Sequence, residues 1–245
     1  MMEDIIRIHL EQTDSTNRYL HAYHGEEGRL MTVVTADYQT AGRGQGTNRW
    51  ESEAGQNLTF SVKTRPQGVP PLRQFIMLEA GSLALKAALA PYADDILVKW
   101  PNDIYWHDRK LSGTLSECAV SGQAIRSCIL GTGLNVNQRR FVSDAPNPVS
   151  LFQITGHPID REQLLQDILR HMAHYLALVN DGQYATIDRE YHEALYRIGE
   201  WHRYADSGGE YDGRIDGITP QGRLCVTDRQ GHTKEYAFKE VKFII

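Results

Sequence analysis

Between Gln39 and Trp50 the chain reads QTAGRGQGTNRW, which places three glycines, two arginines and a tryptophan in one turn-rich stretch. Glycine lets a backbone approach a ligand closely and aim its N–H groups at anionic oxygens. Arginine adds a planar fork suited to phosphate or carboxylate, and tryptophan can cover an apolar or aromatic ligand surface. A surface loop with solvated arginines fits the same composition equally well. The spacing matches neither a P-loop nor the dinucleotide-binding fingerprint.

Three further segments carry polar residues at predicted strand ends. In Lys99-Trp100-Pro101-Asn102-Asp103 a strand breaks at proline and exposes Asn102 and Asp103. The chain then turns through Trp106–Lys110 and returns with Lys110-Leu111-Ser112-Gly113. Two facing strand ends would present the Asp103 carboxylate and the Lys110 ammonium to one cleft; a plain hairpin with an exposed salt bridge is the competing reading. Gly131-Thr132-Gly133-Leu134-Asn135 follows an apolar strand and reads as a strand-end turn that could bring Asn135 to the same place. Ser15-Thr16-Asn17 can hydrogen-bond a small polar head group or simply cap a helix.

The elements that must hold these segments follow from hydrophobic periodicity. Strands are expected at Ile5–Leu10, Met31–Thr35, Leu58–Lys63, Ile96–Trp100, Ile104–Trp106, Leu111–Glu117 and Ala124–Leu130. A helix is expected after Asp14, Ser15 or Thr16, and another over Leu72–Leu89, stopped by Pro91. Asp160 with Gln163 resembles a capping box that opens a long helix, and a further helix covers Ile187–Tyr196. After Gly199 come short alternating segments punctuated by glycines, the texture of a small all-β barrel. The expected class is therefore α+β with a β-only tail.

Composition narrows the function classes. The 245 residues are 41 % apolar and 23 % charged, an ordinary globular balance. A net charge of −5 supplies no basic field for general nucleic-acid binding. Cys118, Cys128 and Cys225 show no C-x-x-C spacing and read as reduced thiols of a cytoplasmic protein. No stretch reads as a signal peptide or a membrane span. His171 and His174 sit three apart on the long helix without a companion carboxylate or cysteine, so they read as exposed rather than metal-binding.

STN at Ser15–Asn17, QTAGRGQGTNRW at Gln39–Trp50, KWPND at Lys99–Asp103, KLSG at Lys110–Gly113 and GTGLN at Gly131–Asn135 occur in one order and spacing. Together they resemble the biotin–protein ligases over nearly the whole chain. The resemblance implies a catalytic domain related to class II aminoacyl-tRNA synthetases at 1–197 and an SH3-like C-terminal barrel at 198–245. It implies that biotin and MgATP give biotinyl-5′-AMP and pyrophosphate, after which a lysine of a biotin carboxyl carrier protein takes the biotinyl group. Some bacterial members carry an N-terminal DNA-binding domain; here the motifs begin almost at Met1, and neither DNA binding nor repression is expected. Family members can dimerise through a sheet edge, but no such edge is readable in this sequence.

The resemblance also distributes roles. Arg43 and Lys110 would handle the biotin carboxylate and the α-phosphate, with Asp103 as the third catalytic residue. Ser15, Thr16 and Gln39 would hold the ureido end of biotin beside Asn17, while Gly42, Gly44 and Gly113 complete the biotin site. Gln45, Trp50, Asn102, Asn135 and Phe141 would join Arg43 and Lys110 around the nucleotide. Asp103 would coordinate Mg²⁺ or orient the incoming carrier lysine. The chain departs from many bacterial relatives at Gln45, where they have a second arginine, and so has less charge to retain an adenylate. A lipoate–protein ligase and a non-catalytic binder of biotin or adenylate are the alternatives.

Overall fold

The computed structural model describes residues 4–25, 28–42, 44, 50–143 and 147–245. Its centre is a seven-stranded sheet of order β1-β2-β3-β7-β6-β5-β4. The strands are β1 (Ile5–Thr13), β2 (Met31–Gln39), β3 (Leu58–Thr64), β4 (Ile96–Lys99), β5 (Asp103–Trp106), β6 (Arg109–Ser121) and β7 (Ala124–Leu134). β1 pairs in parallel with β2, and every other neighbour is antiparallel. A parallel pair needs a crossover, and helix α1 (Thr16–Ala22) supplies it.

Period-2 alternation divides the two faces. Val33 and Val62 are paired across β2 and β3 and belong to the main core, which is covered by α2 (Ile76–Leu89) and α4 (Arg161–Asn180). The next residues, Val34 and Ser61, face the other way. There Val34 packs with Ile129 and Leu20 of α1 in a small second core. Among the described residues, the seven-residue α1 covers part of that face, and the remainder forms a cleft.

Several elements differ from the expected ones for local reasons. β1 and β2 run on to Thr13 and Gln39, where their ends are paired, and this brings Gln39 beside Thr16. β7 continues through Gly131 to Leu134, so the GTGL stretch is ladder rather than a strand-end turn. β4 stops at Lys99, where the chain enters a cis Trp100–Pro101 peptide. Pro71–Arg73 forms a short 3₁₀ turn before α2 begins at Ile76. Asp160 caps α4 through Glu162 N–H and Gln163 N–H at 2.9 and 3.1 Å. The reciprocal capping box is instead Ser150 with Gln153, opening α3 (Leu151–Thr155). Helix α5 (Tyr184–Glu193) starts three residues earlier than expected, and β-structure resumes at Trp201. On α4, His174 is exposed and His171 half-buried.

The C-terminal strands are β8 (Trp201–Asp206), β9 (Gly209–Ile218), β10 (Leu224–Asp228), β11 (Thr233–Tyr236) and β12 (Lys242–Phe243). They form an antiparallel sheet of order β11-β10-β9-β8-β12. Among the described residues β11 and β12 are its two edges and do not pair, so the hydrogen-bonded ladder is open. Its apolar side, with Tyr204, Ile215, Leu224 and Val226, is continuous with the main core.

Candidate active site

A cleft of ≈ 690 Å³ opens on the α1 side of the large sheet. At one end Thr16 donates its backbone N–H and its hydroxyl to Gln39 Oε1, at 2.8 and 3.2 Å. Thr16 Oγ1 lies 2.7 Å from Ser61 Oγ, which in turn donates to Asn17 Oδ1 at 2.5 Å. Asn17 Nδ2 donates to Glu117 Oε2 at 2.7 Å, and His21 Nε2 is 3.1 Å from the same oxygen. Ser15 is the N-cap of α1, yet its side chain makes no capping bond. Its hydroxyl is left for the cleft that Ser15 lines. These side chains form a fixed row of small donors and acceptors rather than a helix cap.

At the other end Lys110 Nζ lies 2.7 Å from Asp103 Oδ2, with the two side chains 27 and 19 % exposed. The register explains the pairing: Asp103 opposes Gly113, while Lys110 opposes Tyr105 beyond an irregularity in the β5–β6 ladder. A side chain at Gly113 would meet Asp103 Oδ1 at 3.1 Å and Lys110 Nζ at 3.2 Å. Lys110 also sits 5.9 Å from the ring centre of Trp50.

Glycine keeps the sheet face open in two further places. A Cβ at Gly131 would lie 1.9 Å from Asn17 Oδ1, and one at Gly133 would lie 2.2 Å from the Trp50 indole. Gly113, Gly131 and Gly133 therefore give polar and aromatic side chains access to bare backbone. Trp50 Nε1 and Asn135 Oδ1 are buried without a hydrogen-bond partner. A buried donor or acceptor left unmet costs about 1–3 kcal/mol, and both residues line the cleft. They offer a donor and an acceptor to whatever fills it.

The cleft wall thus gathers Ser15, Thr16, Asn17, Gln39, Gly44 and Trp50 with Asn102, Asp103, Lys110, Gly113, Asn135 and Phe141. Asn102 is fixed to β6, donating its side chain to Thr114 O and accepting Thr114 N–H on its own carbonyl. Gly42 does not line the cleft; its carbonyl accepts from Trp50 N–H at 3.1 Å. Arg43 and Gln45 lie outside the described residues.

Among the wall residues that sequence reasoning missed are Lys99, Glu117 and Phe238, and it also missed Ser61, which bonds Thr16 and Asn17. Lys99 is held between the rings of Tyr105 and Phe243, at 5.1 and 4.6 Å from their centres. Burial pushes its ammonium below the usual lysine range, Lys110 and Arg197 add to that, and Asp103 opposes it. Glu117 and Ser61 could have been found by counting twos along β6 and β3 from Gly113 and Thr59. Phe238 lies in the turn between β11 and β12, its ring centre 6.3 Å from that of Trp100; no local pattern announces it.

Among the described residues no cluster of three histidine, cysteine or carboxylate ligands is set to hold a metal. Mg²⁺ is commonly held by one or two carboxylates together with substrate phosphates. Asp103 could give one such ligand, but its Oδ2 already faces Lys110. The donor set therefore fits a cation carried mainly on a ligand's phosphates.

A mixed α+β fold presents one cleft, with a row of hydrogen-bonding side chains anchored on Glu117 at one end and a carboxylate–ammonium pair at the other. Such a cleft suits the activation of a carboxylic acid whose far end is polar. Residues 9–135 match the Biotin/lipoate A/B protein ligase family, and the chain belongs to it. The bifunctional ligase/repressor BirA of Bacillus spizizenii is 30 % identical over 94 % of this chain and 72 % of its own. The biotin–[acetyl-CoA-carboxylase] ligase of Paracoccus denitrificans is 30 % identical over 91 % of this chain and 94 % of its own. A solved biotin protein ligase from Aquifex aeolicus in complex with biotin and ATP has a TM-score of 0.79 at 26 % identity, covering 98 % of this chain and 99 % of that one.

Proposed function

We infer that this chain is an ATP-dependent biotin–protein ligase, which makes biotinyl-5′-AMP and passes the biotinyl group to a lysine of a biotin carboxyl carrier protein. The observation that carries this reading is the cleft itself. The hydrogen-bonded row at Thr16, Gln39 and Asn17, tied together by Ser61, shares one cleft with the Asp103–Lys110 pair. A ureido ring has both donors and acceptors and suits the first group; a carboxylate beside a phosphate needs the cation of the second.

In the first step a biotin carboxylate oxygen attacks the α-phosphorus of ATP, and the bond to pyrophosphate breaks. Two anions must approach, so Lys110, with Arg43 of the Gln39–Trp50 motif, lowers the barrier by meeting their charge. Holding both reactants in one cleft removes much of the entropic cost. Trp50 Nε1 and Asn135 Oδ1 supply hydrogen bonds to the nucleotide, Asn102 and Phe141 border it, and Gln45 belongs to the same sequence motif as Arg43. Mg²⁺ bound to the triphosphate would offset its charge, and Asp103 is the cleft carboxylate that could add a ligand to it. In the second step the carrier amine attacks the acyl carbon and AMP leaves. Asp103 orients that amine once Lys110 turns to the phosphate. No enzyme nucleophile is required.

The larger unit, 1–197, is read as a catalytic domain of the class II aminoacyl-tRNA synthetase kind, and 198–245 as an SH3-like unit whose ladder is open. Biotin-dependent exchange of pyrophosphate into ATP tests the reading, with lipoate as control. Exchange with biotin and not lipoate is expected, and Lys110→Ala should slow it about 10²–10³-fold. Exchange driven equally by lipoate, or unaffected by Lys110→Ala, would contradict it.

A further inference from the structure

Cys118 and Cys128 are direct cross-strand partners on β6 and β7. Their sulfurs are 3.1 Å apart, and Ser116 Oγ lies 3.7 and 3.5 Å from the two. Cys118 is half-buried and Cys128 fully buried. Neither lines the cleft, and the proposed chemistry uses no thiol. We propose that this pair is a peroxide-reactive dithiol, a modification site at which β6 and β7 become reversibly joined by a disulfide.

Geometry carries the proposal. Directly opposed residues of an antiparallel ladder have Cα atoms roughly 4.5 or 5.5 Å apart, and both separations lie within the range a disulfide spans. Closing the bond needs about 1 Å of approach between the sulfurs, with no movement of either strand out of register. Cys118 also borders a second cavity of ≈ 320 Å³, which brings solvent to its strand position. The order of reaction follows from exposure, since peroxide can reach half-buried Cys118 and not fully buried Cys128. Hydrogen bonding by Cys128 lowers the Cys118 thiol, while the same contact and burial push Cys128 up, in the same sense as the exposure. Cys118 is therefore the attacking sulfur and Cys128 the resolving one.

The Cys118 thiolate attacks one peroxide oxygen, so that an S–O bond forms, the O–O bond breaks and hydroxide leaves. Cys128 then attacks the Cys118 sulfur; the S–S bond forms, the S–O bond breaks, and water departs with the Cys128 proton. The two thiols lose two electrons between them, and hydrogen peroxide is reduced to two waters. A dithiol reductant reverses the change by exchange.

Treating the reduced, folded chain with hydrogen peroxide, then denaturing it, alkylating free thiols and mapping peptides tests this. Two of the three thiols should disappear together as a Cys118–Cys128 cross-link, return on reduction, and leave Cys225 alkylatable. In Cys128→Ser, Cys118 should instead accumulate as a sulfenic acid trapped by dimedone. Should that variant not fold, Cys118→Ser should leave Cys128 unreactive. Oxidation of Cys118 to sulfinic acid beside a free Cys128, disulfides between chains, or faster loss of Cys225 would overturn the proposal.

Discussion

At the residue scale the cleft depends as much on absent side chains as on present ones. Gly131 gives Asn17 its place and Gly133 gives the Trp50 indole its bed, both by lacking a Cβ. Gly131→Ala should displace Asn17 from Ser61 and Glu117, at a cost of about one buried hydrogen bond, and weaken biotin binding roughly tenfold. Titration calorimetry would show it, and unchanged affinity would remove Asn17 from the biotin end. Gly133→Ala should leave biotin binding nearer to wild type and impair the nucleotide step, because Trp50 sits by Lys110. Comparing ATP and biotin KM values in the exchange assay separates the two. The motifs made most of these positions legible: Ser15, Thr16, Gln39, Asp103, Lys110 and Asn135 all reach one cleft. What the glycines do was not legible, because a missing contact becomes visible only once the neighbour that would occupy the space is known.

At the scale of elements, one buried carboxyl joins helices behind the sheet. Glu79 of α2 is almost wholly buried. Burial pushes its carboxyl up from the ordinary 4.5 to about 8, helped by Asp188, while Arg73 opposes the shift. Arg73 forms two bonds to Asp188 on α5, at 2.8 and 3.0 Å. Below the ordinary value Glu79 is protonated both folded and unfolded. Between there and about 8 only the folded chain keeps the proton, so stability falls as pH rises, by at most about 1.4 kcal/mol per pH unit. Above that window the loss is constant. Glu79→Gln should flatten this decline, raising the melting temperature at pH 8.5 relative to wild type and changing it little at pH 5. A parallel pH profile for both proteins would show that Glu79 is already ionised. Period-2 and period-3.6 patterns made the strands and long helices readable. They failed where an element ends on tertiary partners, as β7 does when it runs through Gly131 opposite Ser61.

At the scale of the whole molecule the C-terminal sheet is part of the cleft's surroundings. Phe238 borders the cleft, and Trp100 Nε1 donates to Gly222 O at 2.9 Å. Gly222 has φ +84, and a Cβ there would meet Phe75 at 2.3 Å. Gly222→Ala should therefore destabilise the chain by about 1–3 kcal/mol and loosen the wall at Trp100, detected as a lower melting temperature with a raised KM for ATP. A normal melting temperature would show that this junction is not held as tightly as the contacts imply. The β-only texture of this region was plain from its glycines. Its approach to Trp100 was not, since that contact joins residues more than a hundred positions apart, and its open ladder was not, since strand order is not carried by any one strand's pattern.

Incubation of the chain with labelled biotin, ATP and a biotin carboxyl carrier domain most directly tests the assignment of this cleft to biotin ligation. Label on the carrier lysine, dependent on ATP and largely lost in Lys110→Ala, is the expected result. Absence of transfer by the wild-type chain, or equal transfer of lipoate, would contradict it.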